Sequence, residues 1–93
     1  MRRIEPTNAF KRDYKRVKTI PKHRDIETLL PEVLKLLAVN VPLPERNRDH
    51  PLTGDWKDHR DCHVKPDLVL IYRKPDDEIL QLVRLGSHSE LGL

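Results

Sequence analysis

Ninety-three residues, of which 37% are hydrophobic and 35% charged, suffice for one domain with a small core, expected to span residues 1–93. Eighteen Lys+Arg against fifteen Asp+Glu leave a formal charge of +3, with Lys11, Arg12, Lys15, Arg16, Lys18, Lys22, His23 and Arg24 crowded into one early stretch. Such a segment suits a polyanion such as nucleic acid, or is simply a solvated helix face. Cys62 is the only cysteine, which excludes an internal disulfide. Neither a signal-peptide pattern nor an apolar run of about 20 residues occurs, so a soluble cytoplasmic protein is expected.

Arg2 to Glu5 reads as a short strand ended by Pro6. Thr7 or Asn8 can cap a helix that buries Phe10, Tyr14 and Val17, spaced by four and three, and turns the basic residues outward until Pro21 stops it. Asp25 can cap a second helix, whose Ile26, Leu29, Leu30, Val33, Leu34 and Leu37 form a wide apolar stripe ending near Asn40. Pro31 lacks an amide donor, and is expected either to kink that helix or to delay its regular part until near Leu30. Val41 to Asn47, with Pro42 and Pro44, reads as a linker.

Trp56 to Val64 follows a two-residue period, with Asp61 and His63 on one side and Arg60, Cys62 and Val64 on the other. Leu68 to Arg73 (LVLIYR) suits a central strand. After the turn Lys74 to Glu78, Ile79 to Leu85 should complete an antiparallel hairpin. The segment from Gly86 onward is too short for an element of its own on this reading. The expected class is α+β: two N-terminal helices packed on one face of a small, mainly antiparallel twisted sheet.

Asp61 and His63 should leave one face of their strand about 7 Å apart. If the three strands are neighbours, His50, His63, Asp67 and His88 can converge on them. Imidazoles and carboxylates in one place suit metal-independent RNA cleavage: one imidazole takes the proton of a ribose 2′-hydroxyl, and an acid protonates the leaving 5′-oxygen. Two other readings fit the spacing. His59, Asp61 and His63, with Cys62 nearby, could hold a metal such as zinc. Alternation on a half-exposed strand also produces this pattern with no function at all. Trp56 and Tyr72 read as packing residues, and His23 and His59 as surface residues.

The segments DHPLTGDW, RDCHVKPDLVLIYR and RLGSHSEL, in this order and spacing, closely resemble the YafQ branch of the RelE/ParE superfamily of bacterial toxins. The resemblance is specific from about Pro42 to Leu91 and general upstream. It implies a RelE-like fold and a ribosome-dependent mRNA endonuclease of a type II toxin–antitoxin system, held inactive by a cognate antitoxin and needing no cofactor. The site residues it implies are His50 as general base, His88 as general acid, His63 and Asp67 positioning the phosphate or tuning an imidazole, and Asp61 orienting a neighbour. In this light Lys11, Arg12, Lys15, Arg16, Lys18 and Lys22 are expected to contact ribosomal RNA phosphates. ParE-like members share the fold but lack these histidines and bind gyrase. A catalytically silent fold within an antitoxin repressor complex is a further alternative. One position departs from the family pattern: Gly92 stands where an aromatic residue commonly follows the last histidine by four.

Overall fold

The computed structural model describes residues 1–93, in the order β1 (Arg3–Pro6), α1 (Asn8–Lys18), α2 (Ile26–Ala38), β2 (His50–Pro51), β3 (Arg60–Lys65), β4 (Leu68–Arg73), β5 (Ile79–Gly86) and α3 (His88–Leu91), with 3₁₀ turns at Pro21–His23, Glu45–Asn47 and Gly54–Trp56. One five-stranded sheet, ordered β1-β5-β4-β3-β2, holds all the strands. Only the β1–β5 pair is parallel. The α+β class is as expected, with additions at both ends of the candidate site: β2 lies where the sequence suggests only linker, and α3 where it suggests no element. The third strand starts at Arg60, because Gly54–Trp56 forms a 3₁₀ turn in place of the strand expected from Trp56. Pro6 is the last residue of β1 and not its stop; β1 is an edge strand, where a missing amide donor is tolerated.

Thr7 is the cap of α1. Its hydroxyl oxygen accepts the Phe10 amide at 3.0 Å, and the hydroxyl donates to the Val83 carbonyl of β5 at 2.9 Å, so one side chain starts the helix and ties it to the sheet. α2 begins at Ile26 and runs through Pro31. Pro31 and Glu27 are both exposed, so the Glu27 carbonyl that would have accepted the missing bond stays within reach of water.

Alternation in the strands divides the apolar residues between two faces. Under α1 and α2 lie Phe10, Val17, Ile26, Leu30, Val33 and Leu37, packed against Cys62, Val64, Leu70, Tyr72, Leu80, Leu82 and Leu85 of the sheet. Leu82 and Leu85 are an odd number of residues apart. Both face the helices because the β4–β5 register shifts between Ile71 and Tyr72. Each fully buried aliphatic side chain here contributes about 1.5–3 kcal/mol. The opposite face has a smaller apolar cluster of Val69, Ile71 and Leu91, with Leu52, Trp56 and Val83 packed around them.

His23, expected at the surface, is only 4% exposed, and its Nδ1 has no hydrogen-bond partner. It occupies the 3₁₀ turn between α1 and α2, where the chain folds back on itself. His59 is half-buried, with its ring edge-on to Trp56 at 5.4 Å between centroids.

Candidate active site

The sparsely covered face carries the polar cluster. His50 of β2 and Asp61 of β3 are directly opposed partners, so their side chains leave the sheet side by side. His50 Nδ1 lies 2.8 Å from the Arg48 carbonyl and 3.0 Å from Asp61 Oδ1. A carbonyl can only accept, so Nδ1 carries the hydrogen, and a neutral His50 presents a bare Nε2 to solvent. Arg48 aims its carbonyl this way by adopting left-handed backbone angles, φ 45° and ψ 48°.

The Asp61 side chain is 2% exposed, whereas that of His50 is half-exposed. Because the Nδ1 hydrogen is directed to Arg48, Asp61 Oδ1 receives no aligned hydrogen bond. Burial therefore pushes the Asp61 carboxyl above the usual carboxylate range, and nearby His50, His63 and His88 only partly offset it. One buried anion thus has three imidazoles around it.

His63 follows two residues along β3 on the same face, and its carbonyl accepts the side-chain amide of buried Asn47 at 2.7 Å. Its ring packs against that of His88 with centroids 4.9 Å apart. His88 reaches this position on α3, a single turn closed by a capping box. Ser87 Oγ accepts the Glu90 amide at 3.2 Å and Glu90 Oε1 accepts the Ser87 amide at 3.0 Å. Glu90 also pairs with Arg16 of α1 at 2.7 Å, and buried Leu91 anchors the turn to the sheet. The Ser-His-Ser-Glu pattern followed by Gly92 at a left-handed φ of 74° is the sequence signal for this helix.

An open cleft of about 770 Å³ lies between these elements, lined by His50, Asp61 and His88 with Trp56, Leu91, Gly92 and Leu93 among its walls. A separate cavity of about 390 Å³ is lined by Arg46, Arg48, His63 and Pro66. Below the cleft, Asp49 Oδ1 accepts the Tyr72 hydroxyl at 2.5 Å and Arg60 Nε at 3.2 Å, which fixes the residue just before His50. This tie, like the Arg16–Glu90 pair, carries no motif that sequence reasoning could have used.

Four of the five expected acid/base residues, His50, Asp61, His63 and His88, thus come together. Asp67 does not join them. It lies in the turn between β3 and β4, pairs with Lys22 at 2.9 Å, and has its carboxyl held low chiefly by that hydrogen bond. Cys62 points into the helix-covered core, where burial pushes its thiol up, so it cannot share a metal with His59 or His63. No three His, Cys, Asp or Glu side chains are grouped to hold a metal ion. Of the six basic residues expected at RNA, Arg16 is tied to Asp13 and Glu90, Lys18 lies 3.7 Å from Glu27, and Lys22 holds Asp67, while Lys11, Arg12 and Lys15 are exposed without a carboxylate partner. No helix is long and apolar enough to cross a membrane.

Comparison with known proteins agrees with this geometry. The mRNA interferase toxin YafQ of Escherichia coli strain K12 is 39% identical over 90 residues, 97% of this chain and 95% of that protein. The E. coli DinJ–YafQ complex superposes with a TM-score of 0.83 at 39% identity, covering 98% of both chains. A metal-bound toxin from Helicobacter pylori superposes at 0.84 with 46% identity, covering 98% of this chain and 99% of that one. The sheet with two helices on one face is therefore the RelE-like fold that the motifs imply. The model of the bacterial type II toxin–antitoxin toxin YafQ matches residues 2–92, and the chain belongs to that family.

Proposed function

We propose that this chain is an mRNA endoribonuclease, the toxin of a type II toxin–antitoxin pair, contained in one domain and acting in the cytoplasm. It cuts mRNA in the ribosomal A site and is silenced by a cognate antitoxin, by analogy with a relative that is an mRNA interferase and is seen in complex with DinJ. The observation that carries this reading is the pair of exposed imidazoles, His50 and His88, facing one cleft around a buried carboxylate.

Nε2 of His50 takes the proton of a ribose 2′-hydroxyl, and the 2′-oxygen attacks the adjacent phosphorus. The positive charge then left on His50 lies 3.0 Å from Asp61, whose carboxylate stabilises it. His88 gives its proton to the leaving 5′-oxygen, so the products end in a 2′,3′-cyclic phosphate and a 5′-hydroxyl. His63, packed on His88, steadies that ring and faces the phosphate. Asp67, held by Lys22 in the β3–β4 turn, stays outside the reacting groups. Lys11, Arg12 and Lys15, exposed on α1, meet ribosomal RNA phosphates without reading sequence.

Purified ribosomes programmed with a defined message test this directly. Cleavage within the A-site codon, cyclic-phosphate ends, and rates unchanged by a chelator are expected. Gyrase poisoning without cleavage would instead indicate the ParE-like alternative, and neither activity a silent fold. Reversing the charges of Lys11, Arg12 and Lys15 should weaken ribosome binding and flatten its salt dependence; identical salt curves would remove the α1 contact.

A further inference from the structure

Five of the ten arginines of this chain are matched with carboxylates: Arg2 with Asp77, Arg3 with Glu5, Arg16 with Glu90, Arg60 with Asp49 and Arg84 with Asp13. Arg12, Arg24, Arg46, Arg48 and Arg73 have no such partner, and of these Arg46 and Arg48 alone share a cavity. Arg46 and Arg48 stand two residues apart on the loop that enters β2, and both line the cavity of about 390 Å³ together with His63.

The loop is held in place. Asn47, between the two arginines, is 8% exposed and donates to the His63 carbonyl. Arg48 is fixed in a left-handed conformation that a non-glycine residue adopts only when its surroundings over-determine it. That one residue offers its carbonyl to the His50 ring and its side chain to the cavity beside His63. His63 in turn packs on His88, which lines the main cleft. The packed pair of histidines thus has one ring lining the cavity and the other lining the cleft.

We propose that Arg46 and Arg48 form a phosphodiester subsite that holds a phosphate flanking the scissile bond. The proposal rests on the reading of the cleft as an RNA-cleaving site. Guanidinium groups match phosphate oxygens bidentately, and two that share a cavity with His63 and have no carboxylate partner have an anion as their natural occupant. The subsite sets the register of the strand, so that the 2′-hydroxyl arrives at His50 and the 5′-oxygen at His88.

The test uses a short single-stranded RNA carrying 2′-O-methyl groups, which cannot be cut, bound to the wild type and to an Arg46→Gln, Arg48→Gly double variant. Glycine at 48 keeps the left-handed backbone and the carbonyl to His50 while removing the guanidinium. The slope of log affinity against log salt should fall by about 0.7 for each phosphate that the variant no longer neutralises. Replacing one flanking phosphate with a methylphosphonate should weaken the wild type but have no further effect on the double variant. Arg46→Gln alone, in a regular 3₁₀ turn, should show part of the same loss. Equal slopes and equal sensitivity to the methylphosphonate overturn the subsite, as does weakening confined to an acidic antitoxin peptide. If wild-type protein fails to cut ribosome-bound message, the RNA-cleavage reading falls, while the binding slopes still decide whether the arginines hold phosphate.

Discussion

The two faces of the sheet handle buried charge in opposite ways. Under α1 and α2, the one buried carboxylate at the rim, Asp13, accepts Arg84 at 2.7 and 3.3 Å and the Leu85 amide at 3.0 Å. Burial alone would raise its pKa, but the bonds from Arg84 and Leu85 and the charges of Arg84 and Arg16 hold it below the usual range. On the other face Asp61 is buried more deeply, lacks an aligned hydrogen bond, and is shifted upward. The helix-covered face uses its carboxylate as a staple. The cleft face keeps an undersatisfied carboxylate among histidines, an arrangement that weakens the fold and is useful for holding charge in a reaction.

The sharpest way to separate the faces is to remove the exposed imidazoles. His50→Ala and His88→Ala should each lower single-turnover cleavage on the ribosome by about 10²–10⁴-fold, while stability falls by about 0.5 kcal/mol at exposed His88 and by about 1 kcal/mol at His50, which faces buried Asp61. Wild-type rates in either variant would remove that residue from the chemistry. The mirror experiment is Leu80→Ala in the fully buried helix-covered core, which should destabilise the protein by about 2–5 kcal/mol in urea unfolding. At temperatures where that variant remains folded, its cleavage rate should be close to wild type.

The two carboxylates give a comparison in which even the sign differs. Asp13→Asn should cost about 1–3 kcal/mol at neutral pH, less than a fully buried pair because the Arg84 side chain is one-third exposed. Asp61→Asn should stabilise by about 1 kcal/mol, since a neutral amide escapes the desolvation of a buried anion, and should still slow cleavage. The pH dependence follows from the two shifts. With its folded pKa lowered, Asp13 contributes fully above its unfolded value of about 3.9, and the contribution is lost as pH falls through the folded value. With its folded pKa raised, Asp61 begins to cost stability as pH rises past about 3.9, and the cost is complete above its folded value. The deficit of Asp13→Asn should therefore shrink in acid, and the advantage of Asp61→Asn should grow from about pH 4 upward. Parallel stability curves for the two variants would contradict this assignment.

The elements that can be read from the sequence are those with internal periodicity. Phe10, Tyr14 and Val17, the Ile26 to Leu37 stripe, and the alternation through Asp61 and His63 mark α1, α2 and β3 without any tertiary information, because each pattern repeats within one element. β2 is two residues long and exists only through pairing with β3, so His50 gives no local sign of its place opposite Asp61. Arg48 and Asn47 are silent in the sequence for the same reason: their roles lie in a carbonyl direction and in a bond sixteen residues along the chain. Asp67 shows the converse. Its nearness in sequence to His63 suggests a shared site, but the turn at Pro66 and Asp67 carries it toward Lys22. Only α3 goes unpredicted despite a local signal, the Ser87–Glu90 capping box.

Gly92 offers the smallest effect and the finest comparison, within the cleft face itself. Its left-handed φ ends α3 and lets Leu93 turn into the cleft, so glycine there suits the backbone although it presents no ring to a base. A Cβ at this position would meet nothing within 4 Å, so a larger side chain has room. Gly92→Phe therefore sets base stacking of about 1–3 kcal/mol against a left-handed strain of about 1–2 kcal/mol. The strain acts on the free protein as fraying of α3 and should appear as faster amide exchange at Gly92 and Leu93. The stacking acts only in the complex and, with the ring in the cleft, should tighten binding of an uncleavable RNA by about 5-fold to 150-fold. Faster exchange with unchanged affinity would mean that the position serves the helix end alone, with Leu93 already supplying the apolar contact to the bound base.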